Sequence, residues 1–292
     1  MKFLIAEAFT GEPFGGNTAG IVILPDGEEF PSETIMMKTA AELRYSETAF
    51  IKTLGKDSFQ LRYFTPAAEV DLCGHATIAS FGALLHLGLI RGESICDCRT
   101  KSGDLTITLR NGTVMMEMQA PLVAGMIEGR GELEELYEAM GARIPEEKAL
   151  RPAIVTAGIP DILLPVCCRH ELHAMEPDMK KLAELSERYG VTGVHAFTMD
   201  AEEGALCHCR NFAPLFGIDE EAATGTSSAG LTWYLKECGI IGEDSQQLMI
   251  QGESMGRRSV IRTSVQRNKK TGLPSICVGG RTCILAEGEI HI

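Results

Sequence analysis

The sequence predicts a mixed α and β protein built as two similar lobes, each rich in strands around one central helix. Three observations support this. Arg62, Phe64, Pro66 and Asp71 in RYFTPAAEVD return as Arg210, Phe212, Pro214 and Asp219 in RNFAPLFGID, at one constant offset and with the same spacing. A small polar stretch follows each copy, Cys73-Gly74-His75-Ala76-Thr77 in the first and Ala223-Thr224-Gly225-Thr226-Ser227 in the second, and each opens an apolar helical pattern. The chain's 292 residues also exceed the size of a typical single core. Two lobes that each aim a helix N-terminus place the expected ligand in the cleft between them.

In the first lobe, Lys2 to Phe9 and Ala19 to Leu24 read as strands joined by the turn-rich Gly11 to Asn17. A helix begins after Ser32, its N-cap, with Ile35, Met36, Thr39, Ala40 and Leu43 on one face. Glu47 to Thr53 and Phe59 to Phe64 alternate as strands around Gly55-Lys56-Asp57. The first repeat unit comes next, followed by a helix with Ile78, Phe81, Leu84 and Leu85 on a stripe that closes at Gly88. Ser94 to Cys98, Leu105 to Arg110 and Val114 to Met118 are the remaining strands, with Asn111-Gly112 as a hairpin turn.

Past Pro121, the stretch from Gly125 to Gly131 reads as the linker, and an acidic amphipathic helix runs from Glu132 to Met140. The second lobe repeats the scheme. Its strands fall near Ala153 to Thr156, Asp161 to Cys167, Val194 to Met199 and Ala205 to Phe212, with a helix from Asp178 to Tyr189. A second repeat helix, Thr226 to Cys238, turns Leu231, Tyr234, Leu235 and Cys238 inward. Terminal strands follow around Leu248 to Gln251, Ser259 to Thr263, Ile276 to Gly279 and Thr282 to Ala286.

A composition of 45% hydrophobic and 23% charged residues is that of an ordinary soluble globular protein. The formal charge of −13 opposes phosphate backbones, which excludes nucleic acid and anionic membranes as general partners. Ten cysteines in a long chain whose N-terminus carries no secretory pattern read as reduced thiols, and the location as cytoplasmic. The least polar run, Ala76 to Ile90, is too short to span a bilayer.

Three stretches could carry chemistry. Glu47, in YSETAF, stands just past a helix at the mouth of an apolar strand. Spacing alone favours an acid that faces water; a partly buried carboxylate there would have a raised pKa and could take and return a proton. His75 opens its helix and either relays a proton or caps the helix, while Gly74 and its neighbours present amides to a carboxylate. Cys73, at the same helix start, is either a stabilised thiolate or a small buried residue. In the second lobe Glu221 is the acid placed to hold a substrate amine, and Gly225 and Thr226 supply amides and a hydroxyl to an anionic group.

Other patterns are weaker. Gly11 to Gly16 lacks the lysine and spacing of a phosphate loop, so no nucleotide cofactor is assigned. Cys96-x-Cys98 and Cys207-His208-Cys209, with His170 and His173, lack the usual spacing of a metal site, and no metal is assigned.

Taken together, AFTGEPFGGNTAG, YSETAF, RYFTPAAEVDLCGHAT, RNFAPLFGIDEEAATGTSSAG and IQGESMGR resemble the phenazine-biosynthesis (PhzF-like) isomerases, within the diaminopimelate epimerase fold. The resemblance spans nearly the whole chain. It implies an α+β fold of two pseudo-symmetric lobes, each a curled, mostly antiparallel sheet around a central helix. The first lobe would be residues 1–118 and the second 119–282, with 283–292 returning to the first. A homodimer that uses no cofactor is also implied.

By position, Glu47 matches the family's catalytic glutamate, which shuttles a proton between substrate carbons, and His75 the histidine that helps hold the substrate and the reacting proton. Glu221 and Thr226 fall where the phenazine isomerase has an aspartate and a serine, which keeps the chemical type and alters the reach. Asn17 is assigned to the substrate cleft. Related racemases use two cysteines; here Cys73 occupies the first position and Thr224 the second. Threonine is too weak an acid to replace a thiol without activation, so a one-base proton shift by Glu47 on a small amino or hydroxy carboxylate is expected. An amino-acid racemase or epimerase using Cys73, and a metabolite-binding protein without turnover, are the alternatives.

Overall fold

A computed structural model describes residues 1–146, 150–202, 204–243, 245–268 and 271–292. The chain forms two compact units, Met1–Met118 with Gly279–Ile292, and Gln119–Val278. The first contains β1 (Lys2–Ala8), β2 (Asn17–Ile23), α1 (Glu33–Leu43), β3 (Thr48–Gly55), β4 (Ser58–Phe64), β5 (Glu69–Val70), α2 (Gly74–His86), β6 (Ser94–Thr100), β7 (Gly103–Arg110) and β8 (Thr113–Gln119). Next come β9 (Leu122–Met126), α3 (Arg130–Met140), β10 (Ala153–Thr156), β11 (Pro160–Pro165), α4 (Arg169–Ala174), α5 (Met179–Tyr189), β12 (Gly193–Thr198), β13 (Cys207–Ala213) and β14 (Ile218–Glu221). The chain ends with α6 (Gly225–Glu237), β15 (Gln246–Gln251), β16 (Ser259–Arg267), β17 (Pro274–Gly280) and β18 (Thr282–Glu289).

The duplication read in the sequence is a duplication of strand pairing. In the first unit β1–β2 is antiparallel, β2–β3 parallel, β3–β4 and β4–β5 antiparallel, β4–β6 parallel and β6–β7 antiparallel. The second unit gives the same order of pairings for β10–β11, β11–β12, β12–β13, β13–β14, β13–β15 and β15–β16. The repeated Arg-x-Phe has a mechanical meaning. Arg62 donates Nε and Nη2 to the two oxygens of Glu69 at 2.7 and 2.9 Å, and its guanidinium lies over Phe64. Arg210 makes the same fork to Glu220 at 2.9 and 2.8 Å and lies over Phe212. Each fork ties a long strand to the short one that leads into the central helix.

In the first unit, α2 is buried from His75 to Leu84 without interruption. Phe81 packs edge-on against Phe59, with ring centroids 5.7 Å apart, and burying a side chain of that size contributes about 1.5–3 kcal/mol. Val22, Leu24, Met36, Ala40, Phe50 and Phe64 form a cluster beneath α1. The C-terminal β18 runs antiparallel to β1, from Lys2 opposite Glu289 to Ala8 opposite Thr282. The core of the second unit gathers Leu136 and Met140 of α3, Leu182 and Leu185 of α5, and Ile162, Val194 and Phe212 from the strands. Among the described residues no helix is long and apolar enough to cross a membrane.

Several expectations about elements change. Leu122–Met126, whose last two residues fall in the stretch expected to be the linker, is a strand paired with β10. The short α4 was not foreseen; no long apolar period marks a six-residue helix. Ile35 is 41% exposed, because α1 buries only Met36, Thr39 and Ala40. Cys238 is exposed, since α6 stops at Glu237.

Gly82 marks the closest approach of α2 to β18: a Cβ there would lie 2.2 Å from Thr282 Oγ1 and 2.6 Å from its Cβ. Gly82→Ala is therefore expected to lower stability by about 1–3 kcal/mol through overpacking, although alanine is the better helix former. The midpoint of urea unfolding reads this directly, and an unchanged or raised midpoint refutes the close approach.

Candidate active site

Glu47 precedes β3. The parallel register Gly20 opposite Thr48, and the Gly20 N–H donated to Glu47 O at 3.2 Å, fix its backbone. Asn17 opens β2 after Gly16, whose φ is +61° and where a Cβ would meet Ala8 O at 2.1 Å, so only glycine makes that turn. Glu7 is buried beneath this loop and accepts Phe14 N–H at 2.9 Å. Cys73 is the N-cap of α2 and His75 lies in its first turn.

These residues converge on one imidazole. His75 Nε2 is 3.2 Å from Glu47 Oε2 and 3.5 Å from Ser46 Oγ, while Nδ1 is 3.3 Å from Asn17 Nδ2 and 3.5 Å from Cys73 Sγ. The His75 side chain is 5% exposed and that of Glu47 17%, and Glu47 Oε2, the oxygen that faces His75, is buried. Burial raises the Glu47 pKa, but the His75 charge and hydrogen bonds from His75, Ser46 and Cys73 outweigh it and hold the group below its ordinary 4.5. This reverses the raised pKa expected from the sequence; the neighbouring imidazole was not visible there.

For His75, burial opposes the imidazolium, Cys73 and Glu47 favour it, and the net direction is upward. Cys73 is corrected too. Burial first, and the Glu47 carboxylate second, push its thiol up, so it stands as a buried thiol and not as a thiolate stabilised by the helix.

The second unit builds a different set at the equivalent place. Thr224 caps α6 with an extended backbone (φ −125°, ψ 95°) close to that of Cys73 (φ −135°, ψ 112°). Its hydroxyl donates to Glu221 Oε2 at 2.8 Å. Gln251 Nε2 donates to Glu221 O at 2.7 Å and to Thr224 Oγ1 at 3.1 Å, and Gln251 Oε1 accepts Thr224 N–H at 3.1 Å. Gly225 is buried and Thr226 half-buried in the first turn of α6. Glu220, beside Glu221, is committed to Arg210.

Two members of this set were missed. Gln251 reads only as the end of an apolar strand. Asp161, in Ile159-Pro160-Asp161, reads in the sequence as a strand residue; the acid that opens a run of Ile162, Leu163 and Leu164 is the available signal. It is 5% exposed and accepts Ser227 Oγ at 2.5 Å. Burial, with the Glu221 charge adding to it against the Ser227 and Gly193 hydrogen bonds, raises its pKa from 3.8 to about 7.

Among the described residues, three groups of donor atoms come within 4.8 Å of one another: Glu47, Cys73 and His75; Cys167, Cys168 and Glu171; and His173, His208 and Glu253. In the second group the thiol of Cys167 donates to Glu171 at 2.7 Å. Cys96, Cys98, Cys207 and Cys209 are buried strand residues, as their alternation predicts.

Comparison with known proteins places the chain in a family. Residues 6–288 match the phenazine biosynthesis-like (PhzC-PhzF) proteins, and the chain belongs to that family. It is 33% identical to a Deinococcus radiodurans protein named as an uncharacterized isomerase, over 98% of this chain and 94% of that one. A crystal structure of a PhzF-family phenazine biosynthesis protein from Bacillus anthracis superposes with a TM-score of 0.87 and 25% identity, covering 100% of this chain and 99% of that one. A probable proline racemase from Agrobacterium radiobacter shares the fold, with a TM-score of 0.64 at 13% identity over 100% and 93% of the two chains.

Asp161 has a measurable signature. Its folded pKa lies above the unfolded value, so the native state keeps a proton that the unfolded chain loses. Stability falls as pH rises from about 4 to about 7 and is level above that window. Asp161→Asn removes this slope. Its stability relative to the parent should improve by up to about 4 kcal/mol between pH 4 and pH 8. Denaturant unfolding of both proteins at the two pH values checks this, and parallel pH dependence would refute a buried acid.

Proposed function

We propose that the protein is an isomerase that moves one proton between carbons of a small carboxylate bearing an amine or hydroxyl group, with Glu47 as both base and acid. The observation that carries this reading is the Glu47 carboxylate, held ionised 3.2 Å from the buried His75 yet still approachable. In the first half-reaction Glu47 takes a proton from a substrate C–H bond, and that bond's electron pair enters the adjacent π system. In the second, the Glu47 carboxyl returns the proton to another carbon as the π system shifts. The atoms and electrons balance with no oxidant or external base, which supports an activity that needs no cofactor.

His75 orients the polar substituents and stabilises the Glu47 carboxylate, and the side-chain amide of Asn17 lies 3.3 Å from its Nδ1. In the first unit the amides around Gly74 suit a substrate carboxylate; in the second, those around Gly225 and Thr226 suit an anionic group and Glu221 an amine or hydroxyl. A homodimer in the cytoplasm belongs to the same proposal. A racemase using Cys73 as an acid or base is disfavoured by the thiol's raised pKa. Cys73→Ser separates the two readings, since the one-base isomerase survives it.

Glu47→Gln is expected to lower turnover by about 10²–10⁴-fold, the usual contribution of a positioned acid–base group. Proton NMR in D₂O with a panel of amino and hydroxy carboxylates is the test: deuterium enters a carbon position with the parent and not with the variant. Exchange that persists in Glu47→Gln overturns the assignment. With a turned-over substrate, the acid limb of kcat/KM against pH should fall below 4.5, because the free Glu47 titrates below its ordinary value.

A further inference from the structure

In the second unit, two histidines and a glutamate from three separate elements bring their donor atoms together. His173 sits in the last turn of α4, His208 is the second residue of β13, and Glu253 comes directly after β15 and Gly252. Glu253 Oε2 lies 2.6 Å from His208 Nδ1 and 3.2 Å from His173 Nε2, and all three donors are within 4.8 Å of one another. The side chains are graded from inside to outside, with His208 fully buried, Glu253 25% exposed and His173 39% exposed. An ion therefore has both a rigid inner ligand and a path of entry.

We propose that His173, His208 and Glu253 form a binding site for a zinc-class divalent cation, with solvent as the fourth ligand. Two imidazoles and one carboxylate are a borderline-soft, tetrahedral donor set. Donors around such an ion stand about 3.3 Å apart, given metal–ligand bonds of about 2.0–2.2 Å. The observed separations need to open or close by only a fraction of an ångström to a little over one. Binding requires neutral imidazoles and an ionised carboxylate.

His208 Nε2 is buried without a hydrogen-bond partner among the described residues, and Nδ1, 2.6 Å from Glu253 Oε2, is the ring nitrogen that faces the other two donors. The ion would also have a structural consequence. Glu253 is two residues beyond Gln251, whose amide holds Glu221 and Thr224. Joining α4, β13 and the Glu253 turn through one ion would brace that amide from behind.

The test uses the full chain with Cys167→Ser and Cys168→Ser, which removes the nearby thiol donors, after treatment with a chelator. Co²⁺ titration followed by visible absorption should show one saturable tetrahedral site without a thiolate-to-metal band, and Zn²⁺ calorimetry should give the same stoichiometry. His173→Ala changes an exposed residue at a helix end and leaves the core intact; it should weaken binding by more than about tenfold, as should Glu253→Gln, since even outer-sphere partners contribute 10–100-fold. Zn²⁺ should raise the thermal midpoint of the parent and not that of His173→Ala. No saturable binding by the parent, or equal affinity in His173→Ala, overturns the proposal and leaves the cluster as two imidazoles sharing a carboxylate.

Discussion

Helix α2 is buried along every face from His75 to Leu84, and that burial determines what its N-terminus can do. A helix start leaves N–H groups that the helix itself cannot satisfy. When the helix is enclosed by strands, as α2 is by β1, β2 and β18, its start is the natural place for a polar group to meet it. The same enclosure makes the few polar residues there interact strongly. His75, Cys73 and Glu47 lie in a low-dielectric setting where one charge alters the titration of the next. Glu47 is held ionised by His75 beside it, and Cys73 keeps its proton because it is buried and, secondly, because Glu47 is ionised.

The second unit shows what the duplication preserved and what it released. Strand pairing, the arginine–carboxylate fork and the extended N-cap recur, and all three concern delivery of a helix start. The carboxylate partner does not recur at the same place: Arg62 uses Glu69, whereas Arg210 reaches to Glu220. Geometry was retained and the residue supplying it was not. At the helix start itself Cys73 and His75 are replaced by Thr224 and Thr226, and the ionisable group moves to Asp161 on a neighbouring strand. Scaffold and chemistry thus changed independently in the two copies.

This division explains what was legible in the sequence. Arg62 and Arg210, the stripes at Ile78 to Leu84 and the Asn111-Gly112 turn are local patterns, so the strands and central helices followed from them. Asn111 and Gly112 indeed take φ of +51° and +70°. Glu47, His75 and Cys73 were identifiable as candidates, but their protonation was not, because it depends on a contact across 28 residues between β3 and α2. Asp161 with Ser227, and Glu253 with His173 and His208, are long-range pairs in which neither residue stands out alone. Exposure at Ile35 was misjudged for a related reason: periodicity gives a face, and only the packing of neighbours sets its width.

Thr224 deserves the last word on the direction of proton flow, because its hydroxyl has a single proton and that proton is engaged. It is donated to Glu221 at 2.8 Å, while Gln251 donates to the oxygen at 3.1 Å. Acting as an acid toward substrate would break the first bond and leave an alkoxide whose nearest neighbour is a carboxylate. The electrostatics oppose that outcome. In the first unit the opposite holds: Glu47 sits beside the one imidazole able to balance its charge. Of the two helix starts, then, the first sets an ionised carboxylate beside an imidazole that balances its charge, and this asymmetry between the two copies supports the reading of Glu47 as a single base.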